Sequence, residues 1–150
     1  MKKWKPVFIE NSRIPVWLSW ISPIEIHAIS LGWFVWCRGK MTSVTRRHEG
    51  IHFQQHLELA FVGFWALYLG WYLWGLWRYR DAATAYRESP FEKEAYAGDT
   101  VEGYLSKRKM FAWTNHMKDV RHSYKERIKR SKRNRIAYAA QKKIDKLTQT

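Results

Sequence analysis

From Leu59 to Trp77 the chain carries no charged side chain. A run of that length scores as a membrane-spanning helix, for which about 20 mostly apolar residues suffice. The fold must either bury this run or set it against lipid. Arg46 and Arg47 precede it and Arg78 and Arg80 follow it, so a single span has no positive-inside asymmetry to orient it. Composition points the same way. Aromatic residues make up 17% of the 150, with 10 Trp, and the formal net charge is +14. Indole and phenol rings sit well at headgroup level, while an excess of Lys and Arg suits anionic lipid or nucleic acid equally. The single cysteine, Cys37, rules out an intramolecular disulfide and fits a reducing interior. The basic start, Met1 to Lys5, leads into no clean apolar run, because Pro15, Pro23 and Glu25 interrupt each candidate. No cleavable signal peptide is expected there.

Just before the uncharged run lies His48-Glu49-Gly50-Ile51-His52. Thr42 or Ser43 is a suitable N-cap for a helix opening near Val44, and no Pro occurs from there until Pro90. On such a helix, residues four apart lie roughly 6 Å apart along the axis and about 40° apart in azimuth. Two imidazoles so placed can converge on one tetrahedral zinc at about 2.0–2.1 Å. Glu49 stands about 100° round from His48. It misses the ion but can face a water held there and take its proton. His56 continues the spacing about 12 Å along the axis from His48, too far to share the ion easily, so it is expected either to support the ligands or to be structural. A catalytic zinc takes three protein ligands and keeps one position open. The third must come from elsewhere in the chain.

Two stretches carry a resemblance. Arg47-His48-Glu49-Gly50-Ile51-His52-Phe53-Gln54-Gln55 is followed, beyond the apolar segment, by Phe91-Glu92-Lys93-Glu94-Ala95-Tyr96. Together they resemble a group of small bacterial and phage proteins that pair R-H-E-x-I-H-x-x-Q-Q with F-E-[RK]-E-A-Y. More broadly, the pattern resembles the gluzincin metallopeptidases, in which a Glu on a later helix completes the zinc site. The resemblance covers about residues 14–114. Several gluzincins carry E-x-x-A-D, and Glu92 with Ala95 fits that spacing, with Tyr96 where Asp is usual. Glu94 with Ala97 fits at the same two positions, with Asp99 one residue late. The two glutamates lie about 200° apart on a helix, so only one can face the metal. The resemblance thus implies one zinc ion on His48, His52 and Glu92, with Glu94 as the alternative third ligand. It also implies Glu49 as general base for attack on a peptide or protein substrate. Tyr96, Tyr104 and His116 are eligible donors to the developing oxyanion.

A single membrane crossing by residues 59–77 would set His48 and Glu92 about 30 Å apart. A helical hairpin removes the conflict. One helix would run from Val44 to about Val62, turn near Gly63 or Gly70, and return toward Tyr79, bringing the arginines of both ends to one face. Elsewhere, residues 1–23 read as irregular. Ile24 to His27 and Trp33 to Cys37 read as one or two strands with a bulge or turn at Gly32, the second stretch able to hold an extended substrate at its edge. Asp81 to Tyr86 reads as a helical turn, and Pro90 opens a helix expected to reach about Lys109. Residues 118–146 hold twelve Lys/Arg against three Asp/Glu and read as a solvated basic helix or a disordered tail.

The expected fold is mainly α (α+β), with a zincin-like motif helix, a short β element, an apolar helical hairpin at about 57–79, and a basic C-terminal helix or tail. Residues 1–117 would form the metal-binding domain and 118–150 the tail. The expected function is that of a membrane-associated zinc metallopeptidase with its site on the cytoplasmic side; a cytoplasmic location is the alternative. The competing functions are a non-catalytic membrane-surface protein with a structural metal, and nucleic-acid binding through the basic tail.

Overall fold

A computed structural model describes residues 4–120 and 122–147. Residues 1–3, 121 and 148–150, which include the first residues of the basic start and parts of the basic tail, lie outside the described set. The protein is mainly helical with one small sheet, as the sequence indicates. The order is β1 (Val7–Ile9), α1 (Ile14–Ile21), β2 (Ala28–Leu31), β3 (Phe34–Cys37), α2 (Ser43–Glu58), α3 (Val62–Tyr79), α4 (Ala82–Arg87), α5 (Pro90–Gly98) and α6 (Tyr104–Lys107). A 3-10 helix (Ala112–Val120) and α7 (Tyr124–Leu147) complete it.

The N-terminal segment is not irregular, because its prolines bracket elements instead of breaking them. Pro6 precedes β1, Pro15 lies in the first turn of α1, where a missing N–H costs nothing, and Pro23 follows its end. The sheet order is β1-β3-β2, with β1 parallel and β2 antiparallel to β3. The first strand of the hairpin therefore begins four residues later than Ile24. Ile26 instead donates its N–H to Ser19 Oγ at 2.7 Å, which ties this stretch to α1. Gly32 supplies the turn at φ +62°. Because β3 is the central strand, Trp33–Cys37 offers no free edge; the edges belong to β1 and β2, and β2 is the one that lines the cavity described below. Val35, Cys37 and Met41 form the small core on this sheet, with Phe8 and Ala28 packed against it.

Thr42 caps α2 by accepting the Thr45 N–H at 3.1 Å. This helix buries Ile51 and Phe53, but also Glu49, His52, Gln55 and His56, so its core-facing side is largely polar. The break after it falls neither at Gly63 nor at Gly70. It lies at Leu59–Phe61, where Ala60 and Phe61 take φ +50° and +58° and the Phe61 N–H reaches His56 O at 2.8 Å. The axis bends there by 113°, making a corner more open than an antiparallel hairpin. Among the described residues no single helix is long and apolar enough to cross a membrane; the bent α2–α3 pair passes that test only jointly. At the far end of α3, Arg80 adopts φ +55° and the chain turns into α4, capped by Asp81 on the Thr84 N–H at 3.0 Å.

α5 is shorter than its sequence suggests. Gly98 closes it, packed so tightly that an added Cβ would lie 2.6 Å from the Tyr104 ring and 2.8 Å from Ile51 Cδ1. Gly103, at φ +73°, then starts α6. Phe64, Phe91 and Trp113 bring α3, α5 and the 3-10 helix into one aromatic core, with Phe64–Phe91 centroids 5.0 Å apart and Phe91–Trp113 centroids 4.7 Å apart. The basic C-terminal stretch is helical over the described residues of α7 and lies along α3 and α4.

Gly75 is where α3 meets α4 most closely: a Cβ there would stand 3.0 Å from Ala85 Cα. Since backbone and not a flexible side chain must yield, Gly75→Ala is expected to destabilise the fold by about 1–3 kcal/mol, read as a lower thermal midpoint.

Candidate metal centre

α2 presents His48 and His52 one turn apart, and α5 brings Glu92, in its first turn, against them. His52 Nε2 lies 3.2 Å from His48 Nε2 and 3.2 Å from Glu92 Oε1, while His48 Nε2 lies 3.4 Å from Glu92 Oε2. A tetrahedral ion with bonds of about 2.0–2.1 Å holds its ligand atoms about 3.3–3.4 Å apart. The two ring nitrogens stand at about that spacing, each faces a different oxygen of the Glu92 carboxylate, and one ligand atom from each residue can be chosen with all three within 4.8 Å of one another. His48, His52 and Glu92 form a buried group that could hold a metal ion. Glu92 Oε2 is buried and its contact to His48 Nε2 at 3.4 Å falls short of full hydrogen-bond geometry.

The far side of each imidazole is tied down. His48 Nδ1 faces Asp99 Oδ2 at 3.1 Å, and His52 Nδ1 faces Gln55 Oε1 at 2.8 Å. Both partners accept, so each Nδ1–H donates outward and each Nε2 is left toward Glu92. Arg47 in turn donates to the Asp99 carbonyl. The Gln55 amide cannot flip without loss, because its Nε2 donates to Phe91 O at 3.1 Å and to Glu94 Oε2 at 3.0 Å. Tyr68 donates to Glu92 Oε1 at 2.8 Å. Of the two glutamates, Glu92 meets the histidines and Glu94 faces away. Glu94 accepts from Tyr104 at 3.0 Å and from the Arg108 guanidinium, which also pairs with Glu58. It supports His52 at one remove, through Gln55.

The same neighbours set where protons sit in the cluster. Burial pulls His48 down, but Asp99 and Glu92 outweigh it and push the imidazole up to about 10. His52 is raised as well, since Glu92 outweighs its burial. Burial would raise the Glu92 carboxyl, yet the charge of His52 and the hydrogen bonds of both rings hold it well below the usual carboxylate range. Metal binding would displace those protons.

Glu49 is buried and accepts no hydrogen bond among the described residues. Burial raises its pKa, partly offset by His52 and His48. It lines, with the three candidate ligands, a cavity of about 630 Å³ bounded by β2, α3 and α7. Tyr96 also lines this cavity, its ring 4.7 Å edge-on from His48 and the Arg87 guanidinium 4.3 Å from its centroid. Tyr104 and His116 do not reach the cavity. His56 is structural: its Nδ1–H donates to His52 O at 2.7 Å, its ring lies 3.8 Å from Phe64, and burial pulls its pKa down to about 4.

Tyr68, Gln55 and Asp99 are partners of the site that the motifs alone do not single out. Two of them have a signal in the sequence. Gln55 follows His52 by three positions, on the same helix face, and Asp99 follows Glu92 by two helical turns. Tyr68 has none, because it arrives through the corner between α2 and α3. No protein-family model, curated protein or solved structure matches the chain.

Titration with Zn2+ or Co2+ is expected to give one ion per chain in the wild type and in Glu94→Gln, and none at stoichiometric metal in His52→Ala or Glu92→Ala. Gln55→Leu should retain the ion with about 10–100-fold lower affinity, the usual scale for losing such a supporting contact. For His56, the unfolded state binds its proton near pH 6.5 and the folded state only near 4. Unfolding therefore takes up the proton between those values, and stability falls as pH falls through that window. Melting temperatures measured across it should fall less steeply with acid in His56→Phe than in the wild type.

Proposed function

We propose that the protein is a zinc-dependent metallopeptidase, with His48, His52 and Glu92 holding one zinc ion and Glu49 as the general base. The observation that carries this reading is the placement of Glu49: a buried carboxylate, without a hydrogen bond among the described residues, in the same cavity as the three candidate ligands. A structural zinc is closed by four protein ligands, whereas three donors opening onto a cavity suit catalysis. Zinc in such a site supplies Lewis acidity, acidifying a water and polarising a substrate carbonyl.

The chain's own groups would do the rest. Glu49, its pKa raised by burial, takes a proton from the attacking water and returns it to the leaving amine. Tyr96, which lines the cavity beside His48, is the candidate donor to the developing oxyanion. The outer edge of β2 is suited to align an extended peptide. Arg38 N–H bonds His27 O at 3.0 Å, and Ile29 and Leu31 stand opposite Trp36 and Phe34 on the same ladder. By alternation, the backbone groups of Ala28 and Ser30 point outward, and both residues line the cavity. We further propose that the protein works at a membrane surface, with the site on the cytoplasmic side, because α3 leaves Leu69, Leu73 and Trp77 largely exposed.

Glu49→Gln is expected to keep full metal stoichiometry while hydrolysis of a generic casein or peptide-library substrate falls by at least about 100-fold, the scale of a lost general base. Turnover at the wild-type rate in that variant would remove Glu49 from the mechanism.

A further inference from the structure

The cavity over the metal centre is bordered by apolar side chains that the fold leaves uncovered. Ser22 and Ile24 line one wall, and the residues immediately before them, Trp20 and Ile21 at the end of α1, are 78% and 84% exposed. Across the cavity, Leu69 of α3 lines it and is still 54% exposed, and Leu73, one turn on, is 54% exposed too. Large apolar groups from two separate helices thus flank one opening. Soluble surfaces seldom gather such residues at one place without an occupant. A third wall is α7, where Lys142, paired with Glu25 at 2.7 Å, and Lys146 line the cavity; Lys146 makes no ion pair among the described residues. Over its length α7 holds ten Lys/Arg against two Asp/Glu, more than its acidic partners neutralise, which suits an anionic surface.

We propose that the mouth of this cavity seats on an anionic lipid bilayer, with Trp20, Ile21, Leu69 and Leu73 dipping into the acyl boundary and the lysines of α7 at headgroup level. Indole at the interface, aliphatic groups just below it and ammonium groups above it is the layering such a surface selects. α3 lies along the surface and does not cross it, in keeping with its length and the 113° corner before it. A substrate entering between α1 and α3 then arrives through the headgroup layer, so the substrate class is a polypeptide segment held at the membrane. The inference rests on the membrane association proposed for α3 and not on the metal chemistry, which metal stoichiometry tests separately.

The test uses the full chain in a Cys37→Ser background, with single labelling sites at Ile21→Cys, Leu73→Cys or Ser106→Cys carrying a nitrobenzoxadiazole fluorophore. Ser106 lies on α6, away from the cavity lining, and serves as the water-facing control. On phosphatidylcholine vesicles containing about a quarter phosphatidylglycerol, labels at 21 and 73 should shift to the blue and brighten roughly twofold or more, as for side chains entering the acyl boundary. The label at 106 should not change. The shifts should survive roughly 0.5 M NaCl, which screens attraction by charge alone. Unchanged emission at 21 and 73, or a shift at 106 alone, overturns the proposal. So does complete reversal by salt, which assigns binding to the charges of α7 only. Shifts that grow with protein concentration in the absence of vesicles assign the face to a second copy of the chain and overturn it as well.

Discussion

Two imidazoles and a carboxylate converge within 3.2–3.4 Å inside this protein, and the helical frame is arranged around holding them there. Such a cluster does not form by hydrophobic association. Glu92 is 2% exposed, and a carboxylate so buried is tolerated only where opposite charge or a cation meets it. α2 and α5 must therefore cross at one fixed place, and the chain between them has to return. The corner at Leu59–Phe61 sends α3 away from α2, and the turn at Arg80 reverses direction. α4 then sets Ser89-Pro90 where α5 can start beside the histidines. The apolar run is thus the means by which two distant motifs meet. Its inward side supplies Phe64 to the core and Tyr68 to Glu92.

Behind the candidate ligands lies a second layer that is also charged. Arg108 is buried between Glu58 and Glu94, Glu94 orients Gln55, and Gln55 orients His52. An apolar layer of the same volume would cost less desolvation. It would not, however, determine which way an imidazole faces. A ring held by van der Waals contact alone can rotate or change tautomer, whereas one whose Nδ1–H is committed to a fixed acceptor presents one nitrogen in one direction. The chain accepts buried charge where direction matters, and it closes the gap between α5 and α6 with Gly98, which the Tyr104 ring covers.

The legible features were local. Thr42 as a cap, the one-turn spacing of the histidines, Pro90 at a helix start and Glu92 in its first turn are decided within a few residues, and each stands where the sequence puts it. What was hidden depends on contacts between distant residues. The α2–α3 corner uses Ala60 and Phe61 in the left-handed region, although glycines stood nearby, because the Phe61 N–H finds His56 O and its ring packs against His56 and Trp33. Gly63 remains inside α3, where helix geometry is cheap enough to keep. The strand shift from Ile24 to Ala28 has the same origin: Ser19 claims the Ile26 backbone, a partner invisible to alternation. α5 stops at Gly98, since continuing would carry the chain past the point where Tyr104 turns back onto Glu94.

The basic C-terminal stretch shows how composition can mislead about position. Counted by charge, it is an excess of lysine and arginine with nothing to neutralise it. In the fold, acidic residues from three places fasten it lengthwise. Glu88, at the end of α4, meets Arg130 at 3.1 Å and Asn134 at 2.8 Å; Asp81, before α4, meets Arg135 at 2.7 Å; Glu25, ahead of β2, meets Lys142 at 2.7 Å. The exposed pairs are individually weak. Glu88, however, is 8% exposed, and Lys93 of α5 also meets it at 2.9 Å, so this buried carboxylate joins α5 and α7 at one point. Tyr138 adds an uncharged tie, accepting the Glu25 N–H at 2.6 Å. Because these contacts run from α4 to the segment leading into β2, they fix α7 along one side of the cavity. The helix whose composition suggests spare charge is thereby a wall of the cavity that holds the candidate ligands, beside the segment that leads into β2.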